Sequence, residues 1–251
     1  MIINGHNLYV EQDGPENGPA VVLLHHGLGS VRAWRGQIPV LVDAGYHVVA
    51  YDRWGYGDSD ARSALDLPTF ATDVDDLLSI LAEYGIHQTA LVGHSDGGTI
   101  ALYFAAQHPD LVSCVVTVAA HIYVEPKMEP GILGIRQAFE TDERFRTGMQ
   151  HSHGEKYNDV FHNWFDGWHR MESLSWDMRP ILSHIHCPVL VVQGEQDEHA
   201  TPQHAMDIAE AIPGAELWLV EEARHMLPQE NAQLFNQRIV AFMQSAEVKS
   251  F

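Results

Sequence analysis

Basic residues are scarce in this chain of 251 residues. It has 14 lysines and arginines against 34 aspartates and glutamates, which gives a formal net charge of −20. Nucleic acids and anionic membranes repel a chain of this charge, so we expect it to bind neither. Lysine occurs only at Lys127, Lys156 and Lys249. The acidity has two open explanations: a protein that stays soluble in concentrated salt, where self-repulsion is screened, or an ordinary acidic enzyme.

Cysteine is also rare, and long apolar runs are missing. Cys114 and Cys187 each lie in or beside a short apolar run. That placement is typical of buried thiols rather than of a disulfide or a metal site. No apolar run approaches the length of a membrane span. The N-terminus has no basic region followed by an apolar one, so we expect no secretory signal and a cytoplasmic location.

Short apolar runs recur along the chain and alternate with stretches that are rich in helix formers. Such a run, when it is rich in β-branched residues, is typical of a strand buried on both faces of a parallel sheet. The alternation predicts an α/β fold with a doubly wound, mostly parallel sheet and helices on both faces. The expected strands are 8–12, 20–25, 46–51, 89–92, 112–119, 188–193 and 216–220, and the expected helices are 34–44, 69–84, 99–107, 202–211 and 229–245.

One segment, residues 121–184, interrupts this alternation. It is rich in Trp, Met, His and Phe, and its pattern predicts helices at 132–149 and 156–171 and a shorter piece near Leu174. An insertion of this size is typical of a lid or cap rather than of a structureless loop. We therefore expect a core domain of residues 1–120 and 185–251, with a helical cap of residues 121–184 inserted after the sixth strand.

The most informative stretch is Gly93-His94-Ser95-Asp96-Gly97, which joins an apolar run to a helical run. A serine in a G-x-S-x-G frame lies at the tip of a tight, strained strand-to-helix turn, with its hydroxyl clear of the sheet. The helix that follows directs its free N–H groups and its positive dipole end at the same place. The frame predicts a nucleophilic serine, although taken alone it equally fits an ordinary glycine-rich turn.

A serine hydroxyl is a poor nucleophile at neutral pH and needs a base within hydrogen-bond reach. His225 follows a later expected strand and is the candidate base that would take the serine proton. Asp197 follows another and would fix the tautomer of the imidazole. The glycine-rich loop after strand 20–25 brings the N–H of Leu28 toward the serine. With the N–H of Asp96, it would form an oxyanion hole.

With these motifs the chain resembles the α/β-hydrolase family over nearly its whole length. The resemblance implies that Asp197 is the acid, because the other position that the family uses, after the strand ending at Ala119, holds no carboxylate. No cofactor is expected. His151 and His153 form a possible metal pair, but no carboxylate or cysteine completes it, so no metal site is expected. The matching motifs are His26–Gly29, Asp52–Ser59, Gly93–Gly98, Gly194–Asp197 and Arg224–Met226.

Two departures from the family pattern concern the substrate pocket. Asp96 follows the nucleophile where many members carry an apolar or amide side chain. In the biphenyl-hydrolase-like branch, related to valacyclovir hydrolase, an acid here helps to receive a substrate amino group. Asp96 either does this or is a first-turn acid favoured by the helix dipole. Trp54 replaces a common arginine and is expected at the pocket mouth. Most aromatic residues of the cap should pack the cap onto the core. The expected substrate contacts are Trp164 and Trp168 of the cap and Met226 of the core.

The resemblance and the residues together favour a serine carboxylesterase that cleaves small to medium esters through an acyl-enzyme. A serine nucleophile argues against haloalkane dehalogenases and soluble epoxide hydrolases, which use an aspartate there. One alternative is hydrolysis of a C–C bond in a vinylogous 1,5-diketone, as in the meta-cleavage product hydrolases. Another is a weakly catalytic ligand receptor, which an intact triad disfavours. The expected partner is a small-molecule ester, and the oligomeric state stays open.

Overall fold

A computed structural model describes residues 1–171 and 175–249 of the chain. Seven strands form one sheet in the order β3-β5-β4-β6-β7-β8-β9, and a separate hairpin joins β1 and β2. Only the edge strand β3 runs antiparallel to its neighbour, so the predicted mostly parallel sheet is confirmed. The strands are β1 (Ile2–Ile3), β2 (His6–Asn7), β3 (Val10–Asp13), β4 (Ala20–Leu24), β5 (His47–Tyr51), β6 (Thr89–His94), β7 (Val112–Val118), β8 (Val189–Gly194) and β9 (Glu216–Val220).

Helices cover both faces of this sheet, as the alternation predicts. One buried cluster contains side chains of α1 and α10, and the other contains those of α2, α3, α8 and the inserted helices α4–α7. The helices are α1 (Ile38–Asp43), α2 (Ala71–Glu83), α3 (Asp96–Gln107), α4 (Met128–Thr141), α5 (Glu143–His153), α6 (Tyr157–Met171), α7 (Arg179–Leu182), α8 (Gln203–Ala211), α9 (Leu227–Glu230) and α10 (Ala232–Lys249).

The continuous apolar runs follow from these two helical layers. In β4, Val21 and Leu23 belong to the cluster with α1 and α10, whereas Val22 and Leu24 belong to the opposite cluster. Successive side chains of a strand point to opposite faces, so a strand with both faces covered must be apolar at every position.

The inserted segment follows the fifth strand of the seven-stranded sheet, one strand earlier than expected. Of the expected strands, 112–119 is likewise the fifth, so the expected count is one too high. Residues 2–7, for which no strand was expected, pair with each other as the separate β1–β2 hairpin. Their turn is formed by Asn4 and Gly5, both at positive φ, which is the geometry of a two-residue hairpin loop.

Three predicted helices have different bounds in the structure. The expected helix 132–149 is two helices, α4 and α5, which part at Asp142. The carboxylate of Asp142 caps α5 by accepting the N–H groups of Arg144 and Phe145. The helix expected at 34–44 shortens to α1, and the one expected at 229–245 divides into α9 and α10. The piece predicted near Leu174 lies outside the described residues.

None of the helices in the described ranges has the length and apolar character that crossing a membrane requires.

Candidate active site

Ser95 is the single residue between the end of β6 and the start of α3, and its backbone conformation is strained. Its φ is 54° and its ψ is −118°, a region that non-glycine residues rarely adopt. The turn is tight enough that its flanking glycines admit no side chain. A Cβ on Gly97 would lie 2.1 Å from the carbonyl oxygen of Leu24, and one on Gly93 would lie 2.2 Å from that of Gly97. This is the strand-to-helix elbow that the motif predicts.

Asp197 and His225 meet in the structure, although 28 residues separate them. The Nδ1 atom of His225 lies 2.8 Å from Oδ2 of Asp197. The carboxylate also accepts hydrogen bonds from the Gln193 side chain and from the backbone N–H groups of His199 and Ala200. Burial by itself would raise the pKa of Asp197. The charge and hydrogen bond of His225 outweigh burial and hold that pKa well below its usual range.

The same pair fixes the state of the imidazole. Burial would lower the pKa of His225, but the Asp197 charge and hydrogen bond raise it above its usual value. Because the carboxylate can only accept, Nδ1 of His225 carries the proton that is shared with it. In the neutral ring Nε2 is then left with a lone pair, which is the state that a general base requires.

A cavity of about 560 Å³ lies between the carboxyl ends of the strands and the inserted helices α4–α6. Most of the site residues predicted from the sequence line this cavity. Asp197 stands behind His225 rather than on the wall. The predicted residues on the wall are Leu28, Ser95, Asp96, Trp164, Trp168, His225 and Met226.

The loop after β4, residues 25–31 (the β4 loop), carries Leu28 to this wall. Among the described residues no hydrogen-bond acceptor takes the N–H of Leu28. The N–H of Asp96 is in the first turn of α3, where helical backbone offers no acceptor. The cap presses directly on the loop, since a Cβ on Gly27 would lie 2.1 Å from Nε1 of Trp164. Two N–H donors are therefore available near Ser95 in a tightly packed setting.

The Asp96 side chain is buried against both the cap and the core. Its Oδ1 accepts a hydrogen bond of 3.1 Å from Nε1 of Trp168, and its Oδ2 lies 3.5 Å from the guanidinium of Arg53. Burial raises the pKa of Asp96 to about 6, against the opposing effect of Arg53. Arg53 itself pairs with Asp73 at 3.2 Å. Asp96 thus belongs to a buried ionic network and also faces the cavity.

Trp54 lies outside the cavity, contrary to the expectation that it narrows the mouth. Its ring stacks on that of His6 with centroids 4.3 Å apart, and its Nε1 donates to the carbonyl of Ala61. The loop after β5, residues 52–62 (the β5 loop), turns at Gly55, whose φ is +99°. That turn carries Trp54 toward the N-terminal hairpin, a reversal that the sequence motif does not reveal.

Three further histidines lie on the cavity wall, and of these three only His26 belongs to a motif noted in the sequence. His26, His121 and His199 line the cavity beside His225, and burial lowers the pKa of each, that of His199 to about 4. His199 packs edge-on against the His225 ring at 4.6 Å. No fixed spacing links His121 and His199 to His225, so a sequence pattern could not have found these two.

The possible metal pair has other partners. His153 contacts two backbone groups of the core loops, and His151 lies 3.2 Å from the guanidinium of Arg32. Within the ranges that the structure covers, no group of three potential ligands is arranged to hold a metal ion.

Comparison with known proteins agrees with this architecture. The sequence profile of the alpha/beta hydrolase fold matches residues 19–151, more than half of the chain. The serine hydrolase BPHL of Homo sapiens is 32% identical over 250 residues, covering 97% of this chain and 85% of that protein. Two solved structures have the same fold. An enol-lactonase from Burkholderia xenovorans LB400 is 24% identical, with a TM-score of 0.77 and coverage of 96% of this chain and 98% of that one.

The second solved structure with this fold is a carboxylesterase of the thaumarchaeon Nitrososphaera gargenis. It is 20% identical to this chain, with a TM-score of 0.79, and the match covers 98% of this chain and 97% of that one. A strained serine elbow, a parallel sheet with helices on both faces, and these sequence matches lead to one assignment: the chain belongs to the alpha/beta hydrolase fold family.

Proposed function

We propose that this hydrolase cleaves small to medium carboxylic esters, with Ser95 as nucleophile, His225 as general base and Asp197 as the acid that orients it. One observation carries the proposal. The strained elbow serine shares a cavity wall with an imidazole whose Nδ1 lies 2.8 Å from a buried carboxylate. That is the set of groups that makes an alcohol side chain reactive at neutral pH.

The proposed reaction has two halves. Nε2 of His225 takes the proton of the Ser95 hydroxyl while the oxygen attacks the ester carbonyl. The N–H groups of Leu28 and Asp96 stabilise the resulting oxyanion, where one donor is typically worth about 3 kcal/mol. His225 then gives its proton to the departing alcohol and leaves an acyl-enzyme. In the second half His225 takes a proton from water, the hydroxide attacks the acyl carbon, and the acid leaves as Ser95 regains its proton.

The cavity supports a substrate of modest size with an apolar acyl part. Its volume of about 560 Å³ is in the range of small-molecule sites. The side chains of Met128, Ile132, Phe145 and Met149 contribute an apolar wall on the cap side. The names of the serine hydrolase BPHL and of the carboxylesterase with this fold are consistent with such a substrate.

Amino-bearing esters are a second candidate class, favoured by the charge balance beside the cavity. Arg53 and Arg62 are paired there with three carboxylates, those of Asp66, Asp73 and Asp96. The network therefore has one more carboxylate than it has guanidinium groups, and Asp96 is the member on the cavity wall. An ammonium group on the substrate would balance that charge.

The test combines active-site labelling with turnover. We expect one equivalent of a fluorophosphonate to label Ser95 and to abolish steady hydrolysis of a p-nitrophenyl acyl series. Ser95→Ala should take no label and lose at least about 1,000-fold in kcat. Full activity of Ser95→Ala would overturn the proposal. Labelling without steady ester turnover would favour the ligand receptor, and faster cleavage of a vinylogous 1,5-diketone would favour the C–C hydrolase.

A further inference from the structure

His153, the last residue of cap helix α5, is buried between two loops of the core. Only 2% of its surface is exposed. The backbone N–H of Gly57, in the β5 loop, donates to its Nδ1 at 2.9 Å. Its Nε2 lies 3.1 Å from the carbonyl oxygen of Leu28, in the β4 loop. One cap side chain thus bridges two core loops that lie 96 and 125 residues away in sequence.

These two partners determine the tautomer of the ring. A backbone N–H can only donate, so Nδ1 of His153 must accept. The Leu28 carbonyl can only accept, so Nε2 must carry the proton and donate. Both bonds need the neutral ring, and burial lowers the pKa of His153 to about 4, which keeps it neutral near pH 7.

The bridge adds to hydrogen bonds that already shape the two core loops. Within the β4 loop, the N–H of Gly29 donates to the carbonyl of His26 at 3.0 Å. Asp52 ties the two loops together at one end, by accepting the N–H groups of Val31 and Asp58 at 2.7 Å each. Gly57 is pressed against the same carboxylate, because a Cβ there would lie 1.8 Å from Oδ2 of Asp52. Leu28 lies on the cavity wall, and the described side chain that holds its carbonyl is His153.

We propose that His153 is a positioning residue: it holds the carbonyl of the Leu28–Gly29 peptide and, through the φ and ψ angles of Leu28, orients the N–H of the preceding peptide toward the oxyanion. The inference rests on the proposed function, in which that N–H is one of the two donors. In this proposal the cap is a part of the catalytic apparatus, because the side chain that orients the N–H of Leu28 belongs to α5. His153 itself does not contact the substrate, and it is absent from the cavity wall.

Three substitutions separate the two hydrogen bonds. Glutamine has an acceptor oxygen and a donor nitrogen and can serve both partners. Asparagine is shorter, so its amide reaches Gly57 but not the Leu28 carbonyl. Leucine serves neither. We expect His153→Asn and His153→Leu to lose about 10- to 100-fold in kcat with little change in KM, less than removal of a donor itself costs. His153→Gln should stay within about 3-fold of the parent enzyme.

The decisive measurement uses a pair of inhibitors. The hydroxyl oxygen of Ser95 adds to the carbonyl carbon of a trifluoromethyl ketone, its proton passes to His225, and the ketone oxygen becomes an oxyanion in the hole. The corresponding methylene compound has no such oxygen and reports ground-state binding alone. We expect the Ki of the ketone to rise in His153→Asn by the factor that kcat/KM falls, while the Ki of the methylene compound stays constant.

The controls keep every outcome interpretable. His151→Leu removes an exposed histidine two positions earlier on α5 and should match the parent enzyme in both Ki values. Parent-like ketone binding in His153→Asn, or equal weakening of both inhibitors, would overturn the inference. If His153→Leu fails to fold, the comparison of asparagine with glutamine decides alone. Absence of a ketone adduct in the parent enzyme would instead overturn the proposed function.

Discussion

Asp96 is buried, lies on the cavity wall and belongs to an ionic network with more carboxylates than guanidinium groups, so we expect it to link charge to substrate choice. We predict that Asp96→Asn lowers the ratio of kcat/KM for an α-amino ester to that for its desamino analogue by about 10-fold or more, since a buried charge pair is worth several kcal/mol. The analogue serves as the internal control for general damage to the site.

The same preference should depend on pH in a defined direction. The raised pKa of Asp96, about 6, means that the carboxylate is ionised above that pH and protonated below it. Preference for the amino ester should therefore be present at pH 7 to 8 and fade as the pH falls through about 6. An unchanged ratio in Asp96→Asn would leave Asp96 as a first-turn acid that secures the cap through Trp168.

His225 should set the acidic limb of the pH profile for neutral esters. The base must be neutral to accept a proton, and the Asp197 charge raises its pKa, so kcat/KM should rise with pH through a value above that of an ordinary histidine. Asp197→Asn removes the charge and should shift this limb to lower pH while kcat falls by about 10,000-fold. Glu195→Gln, a change at a nearby exposed acid, is the control and should leave the limb in place.

For individual residues, the sequence predicts the position of a side chain that directly follows a strand. It does not predict the position of a side chain that depends on the path of a loop. Ser95, Asp197 and His225 each follow a strand, and parallel strands bring such positions to one edge of the sheet. Trp54 is displaced by a turn at Gly55 that no motif encodes. His153 depends on contacts across about a hundred residues, which neither spacing nor composition records.

Among the elements, the junction of α4 and α5 carries a local signal, a capping aspartate, that helical periodicity alone does not show. The helical periodicity runs on through residues 132–149, but Asp142 is extended and its side chain caps α5. We predict that Asp142→Ala lowers the free energy of unfolding by about 1 kcal/mol, because two N–H groups lose their acceptor. The melting temperature should fall by about 2–4 °C.

Gln150→Ala is the matched control for this change. It alters an exposed residue of the same helix and should shift the free energy of unfolding by less than about 0.5 kcal/mol. Urea unfolding of the three proteins gives the comparison. Equal stability of Asp142→Ala and the parent would mean that the α4–α5 corner is held by tertiary packing rather than by its cap.

Three of the cap helices, α4, α5 and α6, share one property that periodicity does not predict. At each of them a polar group contacts a loop or residue of the proposed catalytic apparatus. At the start of α4, Lys127 donates to the carbonyls of Asp197 and Ala200. At the end of α5, His153 holds Leu28, and on α6 the indole of Trp168 binds Asp96. The cap is therefore fastened separately to the loop that carries Asp197, to the β4 loop and to the first turn of α3.

For the whole molecule, the alternation of apolar and helical stretches predicts the fold but leaves the meaning of the net charge of −20 open. Self-repulsion destabilises a compact acidic chain, and salt reduces it within a screening length of about 10 Å at 0.1 M and 3 Å at 1 M. The buried pairs of Arg53 and Arg62 with Asp73 have side chains at most 3% exposed and are screened much less.

We therefore predict that the melting temperature rises as KCl increases from about 0.02 to 0.5 M, since salt weakens the surface repulsion without weakening the buried network. Neutralising three exposed acids, by Glu16→Gln, Asp75→Asn and Glu83→Gln together, should raise the melting temperature at low salt and flatten its salt dependence. Replacing KCl by choline chloride at equal ionic strength should give the same curve.

A continued gain in stability and activity to molar salt would indicate a protein suited to concentrated salt, because screening alone changes little above about 0.5 M. A steady fall from the lowest salt upward would contradict this prediction and the explanation by concentrated salt, and would leave the ordinary acidic enzyme.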